Sequence, residues 1–154
     1  INSWIMGMHL ESLGVRMERH CANALATAEF LQADPRISWV SFPGLPSDRY
    51  HALAEKYMPN GTCGVIAFGV PGGREKVSAF LDHLKMISIA THVADARSCV
   101  LYPAGTTHRQ LTEQQLEEAG VGIDLVRLSC GIENAADIIA DVKQALDAVL
   151  PSNN

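Results

Sequence analysis

A chain of 154 residues, 47% apolar and 19% charged, has the size and composition of one globular domain that can bury a core. A formal net charge of −5 without a long basic run argues against nucleic acid or an anionic membrane surface as partner. No apolar run approaches the roughly 18 residues that a membrane-spanning helix needs, so a soluble protein is expected.

In chain order, Met6, Leu10, Leu13, Met17, Ala24, Ala28 and Leu31 recur at three, four or seven residues, the stripe of an amphipathic helix over 4–33. If continuous, that helix is about 45 Å long. This exceeds what a compact domain of this size needs, so part of it is expected to pack against material outside the chain. Asp34-Pro35 ends it, because a residue before proline is pushed out of the helical region. The chain starts at Ile1, so either a leader has been removed or the chain is part of something longer; composition does not separate the two.

A short β-branched and aromatic run predicts a strand over 37–42. Ser47 or Asp48 can then cap a helix to about residue 57. Residues 63–70 read as a central strand and 74–84 as a helix with Val77, Phe80, Leu81 and Leu84 inward. From residue 87 to 95 the pattern is irregular, and 98–102 is a strand. Thr112-Glu-Gln-Gln115 is a capping box opening a short helix that Gly120 stops. A strand over 125–130 follows. Asn134 caps the last helix, with Ala136, Ile139, Ala140, Val142, Ala145, Leu146 and Val149 on its apolar side. This alternation predicts an α/β (α+β) domain: a sheet of about four strands with helices mainly on one face, preceded by a long helix.

The stretch Leu125-Val-Arg-Leu-Ser-Cys-Gly-Ile-Glu133 puts one arginine into a buried-looking strand. Side chains alternate across a strand, so Val126, Leu128 and Cys130 face the core while Leu125, Arg127 and Ser129 face away. A guanidinium fork beside the Ser129 hydroxyl, on such a rigid element, suits a carboxylate held by two parallel charge-assisted bonds. The same pattern also describes a solvated or ion-paired arginine on an open sheet face.

Other motifs say little. Cysteines 21, 63, 99 and 130 lack Cys-x-x-Cys spacing and read as small buried hydrophobes in a reducing compartment. His9 and His20 share a helix face but stand about 16 Å apart, too far to share a metal. His51 and His83 read as partly exposed, hydrogen-bonded helix residues. No nucleophile elbow, Walker loop or dinucleotide fingerprint is present. Two polar loops beside strands, Thr91-His-Val-Ala-Asp-Ala-Arg97 and Tyr102-Pro-Ala-Gly-Thr-Thr-His108, are the places where binding groups could be held.

Arg16-Met-Glu-Arg-His20 with Asn23-Ala24, Trp39-Val-Ser-Phe-Pro-Gly-Leu-Pro46, Asp95-Ala-Arg-Ser98, Pro103-Ala with Thr106-Thr-His108, and Val126-Arg-Leu-Ser-Cys-Gly-Ile-Glu133 followed by Asp137-Ile form a specific set. Together they resemble the C-terminal part of the Cys/Met-metabolism family of pyridoxal-phosphate enzymes, and within it the O-acetylhomoserine sulfhydrylase branch. The resemblance implies a fold-type-I architecture. A large domain there carries the cofactor on a lysine, and a small C-terminal domain closes over the substrate. Residues 1–34 resemble the linking helix, 35–150 the small domain and 151–154 a tail, with the large cofactor-binding domain absent from this chain.

By the same resemblance Arg127 binds the substrate α-carboxylate, and His92, Val93 and Thr107 join it as substrate-binding residues. No catalytic residue and no metal ligand is implied. The partners implied are an O-acyl-homoserine and sulfide or a thiol, giving homocysteine or methionine, in a cytoplasmic homotetramer. His92 stands where the family usually has Ser or Asn, Ala94 replaces a usual Gly, and Tyr102 and Gly105 stand where His and Ser are common. Lys56, Lys76, Lys85 and Lys143 lack the cofactor-lysine context, so the chain alone is expected to be inactive. Cystathionine γ-synthase and methionine γ-lyase are the neighbouring activities. A free-standing non-catalytic domain for assembly or regulation is the reading from another class.

Overall fold

The computed structural model describes residues 1–151; of the tail expected at 151–154, only Pro151 falls within the described residues. The expected first helix is two helices, α1 (Asn2–Glu11) and α2 (Leu13–Ala33), interrupted at Ser12 with φ −100° and ψ 4°. Ser12 and Gly14 are weak helix formers, and α1 buries no residue, so no packing compensates for their low propensity. Of the predicted stripe only Ala24, Ala28 and Leu31 are buried. Asp34 ends α2 in extended backbone, ψ 115°, as the following proline dictates.

Next come β1 (Val40–Ser41), α3 (His51–Tyr57), β2 (Val65–Gly69), α4 (Gly73–His83), β3 (Ser88–Ile89) and β4 (Cys99–Leu101). A 3-10 turn (Pro103–Gly105), α5 (Glu113–Glu118), β5 (Leu125–Ser129) and α6 (Ala135–Val149) complete the order. The strand predicted over 37–42 is two residues long, and at its C-terminal end the Phe42 N–H turns away to the Asp48 carboxylate, 2.9 Å. Asp48 also accepts the Tyr50 N–H, so it braces the preceding loop and does not cap α3, whose first turn has no side-chain cap. At α5 the predicted capping box is present, with Thr112 and Gln115 each satisfying the other's backbone N–H. Gly120 follows in the left-handed region, φ +70°.

The sheet has five strands in the order β1-β2-β5-β4-β3, antiparallel throughout except for the parallel β3–β4 pair. The strand beyond the expected four is β3, a two-residue edge strand inside the stretch read as irregular, too short for any hydrophobic period to reveal. Helices α2, α4 and α6 cover one face. Their buried Leu31, Phe80, Ile138 and Leu146 meet Ile66, Phe68, Val126 and Leu128 from the two central strands. Complete burial of such a side chain is worth about 1.5–3 kcal/mol, and this layer makes the sheet a rigid platform.

Helix α6 departs from its predicted face. Ile138 and Asp141 are buried, whereas Ala136 and Ala140 are exposed and Ile139 is only half-buried. Asp141 turns inward because its carboxylate accepts the backbone N–H groups of Lys85, Met86 and Ile87, each at 2.9 Å. Burial alone would raise the Asp141 pKa, but those three bonds and one from Gln144 outweigh it and hold the carboxyl below its ordinary range.

Candidate functional site

The face of the sheet opposite the helices carries Ala67, Arg127 and Leu101 side by side across β2, β5 and β4. Arg127 is half-buried there, with the small Ala67 as one cross-strand neighbour. Its Nη2 donates to the carbonyl oxygen of Thr91 at 3.0 Å, and no carboxylate among the described residues pairs with it. A guanidinium has five N–H donors, so most remain available to an incoming anion. The flanking residues Val126 and Leu128, both at most 1% exposed, anchor the strand in the core and fix where the arginine emerges.

Thr91 begins the loop that holds two further predicted residues, His92 and Val93, both exposed. The other end of that turn, Ala94, donates its N–H to Ser129 Oγ at 3.2 Å. Val93 and Ala94 also wall a pocket of about 190 Å³ with Met17, His20 and Ser129. Arg127 thus meets, at Thr91, the loop that carries His92 and Val93. Thr107 is not joined to them: it is exposed and its hydroxyl lies 2.9 Å from His108 Nδ1.

Ala94 has φ +58°, the one positive-φ residue other than glycine among the described residues. Glycine reaches this conformation without cost, which accounts physically for the glycine expected there. Tyr102 and Gly105 are linked as well. A Cβ built on Gly105 would lie 2.5 Å from Tyr102 Cδ1, so the tyrosine ring occupies room that the glycine leaves. Tyr102 is 4% exposed and its hydroxyl donates to the Ile123 carbonyl at 2.8 Å.

Several sequence motifs prove to be fastenings around this site. His20, buried on α2, places Nδ1 at 2.7 Å from the Cys130 carbonyl; a carbonyl only accepts, so that nitrogen carries the proton. Asn23 donates to the carbonyls of Gly131 and Glu133 at 2.9 and 2.8 Å. The Glu133 carboxylate accepts the Ser98 N–H and hydroxyl, and Ser98 Oγ accepts the Gly131 N–H. These bonds tie the end of β5 to α2 and to the residue that leads into β4.

His51 and His83 are hydrogen-bonded through Nδ1 to the carbonyls of Pro43 and Ala79. Cys99 and Cys130 are buried as expected, whereas Cys21 and Cys63 are only half-buried. Burial pushes the Cys130 thiol up to about 12, which leaves it a protonated packing group at neutral pH. No group of three or more potential metal ligands occurs among the described residues. No helix among them is long and apolar enough to cross a membrane.

The layout is a sheet covered by helices on one face, with an arginine on the other that pairs with no carboxylate among the described residues. Residues 1–147 match the family described as Cys/Met metabolism PLP-dependent enzyme, and the chain belongs to that family. It is 45% identical over 146 residues to the O-acetyl-L-homoserine sulfhydrylase of Leptospira meyeri, covering 94% of this chain and 33% of that protein. It is 47% identical over 138 residues to the homocysteine synthase of Schizosaccharomyces pombe, covering 90% and 32% respectively. The crystal structure of a putative O-acetylhomoserine (thiol)-lyase from Campylobacter jejuni, with N'-pyridoxyl-lysine-5'-monophosphate, superimposes with a TM-score of 0.87 at 39% identity. That match covers 95% of this chain and 35% of the other. The chain therefore spans about one third of the length of these relatives.

The described residues do not by themselves make a seat for the family's pyridoxal phosphate. Lys76 donates to the Val149 carbonyl at 3.1 Å and Lys143 to Asp147 at 2.7 Å, both on helices of the covered face. Lys56 stacks on the Tyr57 ring, and Lys85 is exposed in the turn after α4. None accompanies Arg127, so no chemical step through the cofactor is assigned to these residues.

Proposed function

We propose that this chain is the substrate-carboxylate-binding domain of an O-acetylhomoserine sulfhydrylase-type enzyme. In the net reaction the γ-acyloxy group of an O-acyl-homoserine is replaced by sulfide or a thiol, giving homocysteine or methionine. The observation that carries the reading is Arg127, half-buried on the open sheet face with no carboxylate partner among the described residues. A substrate α-carboxylate would complete two parallel charge-assisted bonds to its fork. His92 and Val93 follow Thr91, whose carbonyl Arg127 holds, and would contact the same amino acid, with His92 able to donate from its ring. Thr107 is retained as a substrate contact only through the family resemblance. The names of the relatives at 45% and 47% identity support this activity.

The cofactor would be held by residues of the complete enzyme beyond those described, and the chain alone would be inactive. Residues 1–34 would link the two parts. Trp4, Met6, Leu10 and Val15, all more than 60% exposed, support a covered position for that stretch; a cytoplasmic homotetramer is proposed from the family resemblance alone.

A second reading has one specific support, the L-methionine gamma-lyase of Treponema denticola, 41% identical over 149 residues. The test is to assay the complete protein on O-acetylhomoserine and O-succinylhomoserine with sulfide, and on methionine alone. Homocysteine formed from an O-acyl-homoserine supports the proposal. Conversion of methionine to a 2-oxo acid, with no sulfide-dependent product from either ester, favours the lyase.

A further inference from the structure

The Thr91–Ala94 turn is exposed at all four residues, and an exposed turn needs bonds to hold a single shape. Its backbone leaves the sheet after β3, where Ala90 donates to the Val100 carbonyl at 3.0 Å, and passes to the side chains of β5. Two alternate residues of β5 meet it. Arg127 Nη2 takes the Thr91 carbonyl at 3.0 Å, and Ser129 Oγ takes the Ala94 N–H at 3.2 Å. Residues i and i+2 of a strand share a face, so these bonds grip both ends of the turn from one side. His92 and Val93 lie between them.

The Ala94 end is the strained one. An L residue at φ +58° is intrinsically disfavoured and keeps that conformation only while its surroundings hold it. Ser129, 2% exposed on the rigid strand, bonds the Ala94 N–H. Because one guanidinium nitrogen is committed to Thr91, the position of the turn also sets the direction of the Arg127 fork. If the Ala94 bond is removed, the turn can relax and the fork can rotate.

We propose that Ser129 is a positioning residue for substrate binding. Its hydroxyl fixes Ala94 and thereby sets the Thr91–Ala94 turn and the Arg127 guanidinium in register with the substrate carboxylate. This rests on the carboxylate-binding reading of Arg127.

The experiment uses the complete enzyme carrying Ser129→Ala, Ser129→Thr or Arg127→Ala, with amide hydrogen exchange over residues 91–95 and steady-state kinetics on the O-acyl-homoserine. Ser129→Ala should speed exchange at Ala94 and raise KM about 3- to 10-fold, as the loss of one neutral hydrogen bond implies. Its kcat should change less than about twofold, since uniform binding is what is lost. Ser129→Thr, which keeps the hydroxyl, should restore both protection and KM. Unchanged KM in Ser129→Ala, with or without faster exchange, overturns the positioning role provided that Arg127→Ala is impaired. Near-wild-type KM in Arg127→Ala instead overturns the reading of Arg127 beneath it. Should Ser129→Ala not fold, the wild type decides: the Ala94 amide should exchange more slowly than those of His92 and Val93, and equal rates overturn the proposal.

Discussion

His20 Nδ1 lies 2.7 Å from the carbonyl oxygen of Cys130, a bond between the middle of α2 and the first residue beyond β5. With Asn23 and Glu133 it closes a buried polar network, in which removing one member leaves others unpaired. His20→Leu would leave the Cys130 carbonyl without this donor, and Asn23→Ala would free the Gly131 and Glu133 carbonyls. Each change should destabilise the protein by about 1–3 kcal/mol. Denaturant unfolding of the complete protein checks this; midpoints unchanged from wild type would show the network to be dispensable.

Tyr102 and Gly105 should behave as a coupled pair. Gly105→Ser places a Cβ in the Tyr102 ring and should cost about 1–3 kcal/mol, as overpacking does. Introduced together with Tyr102→His, which shortens the ring system, the same serine should cost less than the sum of the two single changes. A double-mutant cycle in unfolding free energy measures the coupling, and strict additivity would contradict it.

Asp141 predicts an acid-sensitive joint between α6 and the turn after α4. Its carboxyl is held below the ordinary range, so the stability it adds is fully present above the unfolded carboxyl pKa and is lost as pH falls through the lower folded value. The window is therefore below about pH 4. Asp141→Asn should destabilise the protein at pH 7 by about 1–3 kcal/mol, since an amide accepts those backbone N–H groups less strongly than a carboxylate. The gap from wild type should narrow toward pH 3. Unfolding midpoints of both proteins across that range test it; a gap independent of pH would show that the charge of Asp141 contributes nothing.

Much of this architecture was legible because local rules and tertiary packing agree. The Thr112–Gln115 capping box, the Asn134 cap and the alternation Val126–Arg127–Leu128 each appear where their chemistry puts them. Asp141 was hidden because its buried position depends on three backbone donors more than fifty residues away in sequence. The interruption at Ser12 was hidden because periodicity records which residues could share a face and not whether anything packs there. At the candidate site, Arg127 stood out as a charge inside an apolar run. Ser129 was legible only as the hydroxyl beside that fork on the same face; its contact with Ala94 was not, being a tertiary meeting between a strand and a distant loop.

Arg127 carries the central claim. If its guanidinium holds the substrate α-carboxylate in a partly dry site, truncation to alanine removes a charge-assisted pair and costs roughly 2–5 kcal/mol, about 30-fold to several thousand-fold in kcat/KM. Arg127→Lys should recover only part, because an ammonium cannot reproduce the bidentate fork. Cofactor absorbance should be unchanged in both variants, since no cofactor contact is assigned to this residue. The decisive measurement is kcat/KM of Arg127→Ala in the complete enzyme on an O-acyl-homoserine, taken beside its cofactor spectrum. A loss of that size with an intact spectrum is the predicted result; near-wild-type kcat/KM would reduce Arg127 to an exposed strand arginine and contradict the proposed role of the chain.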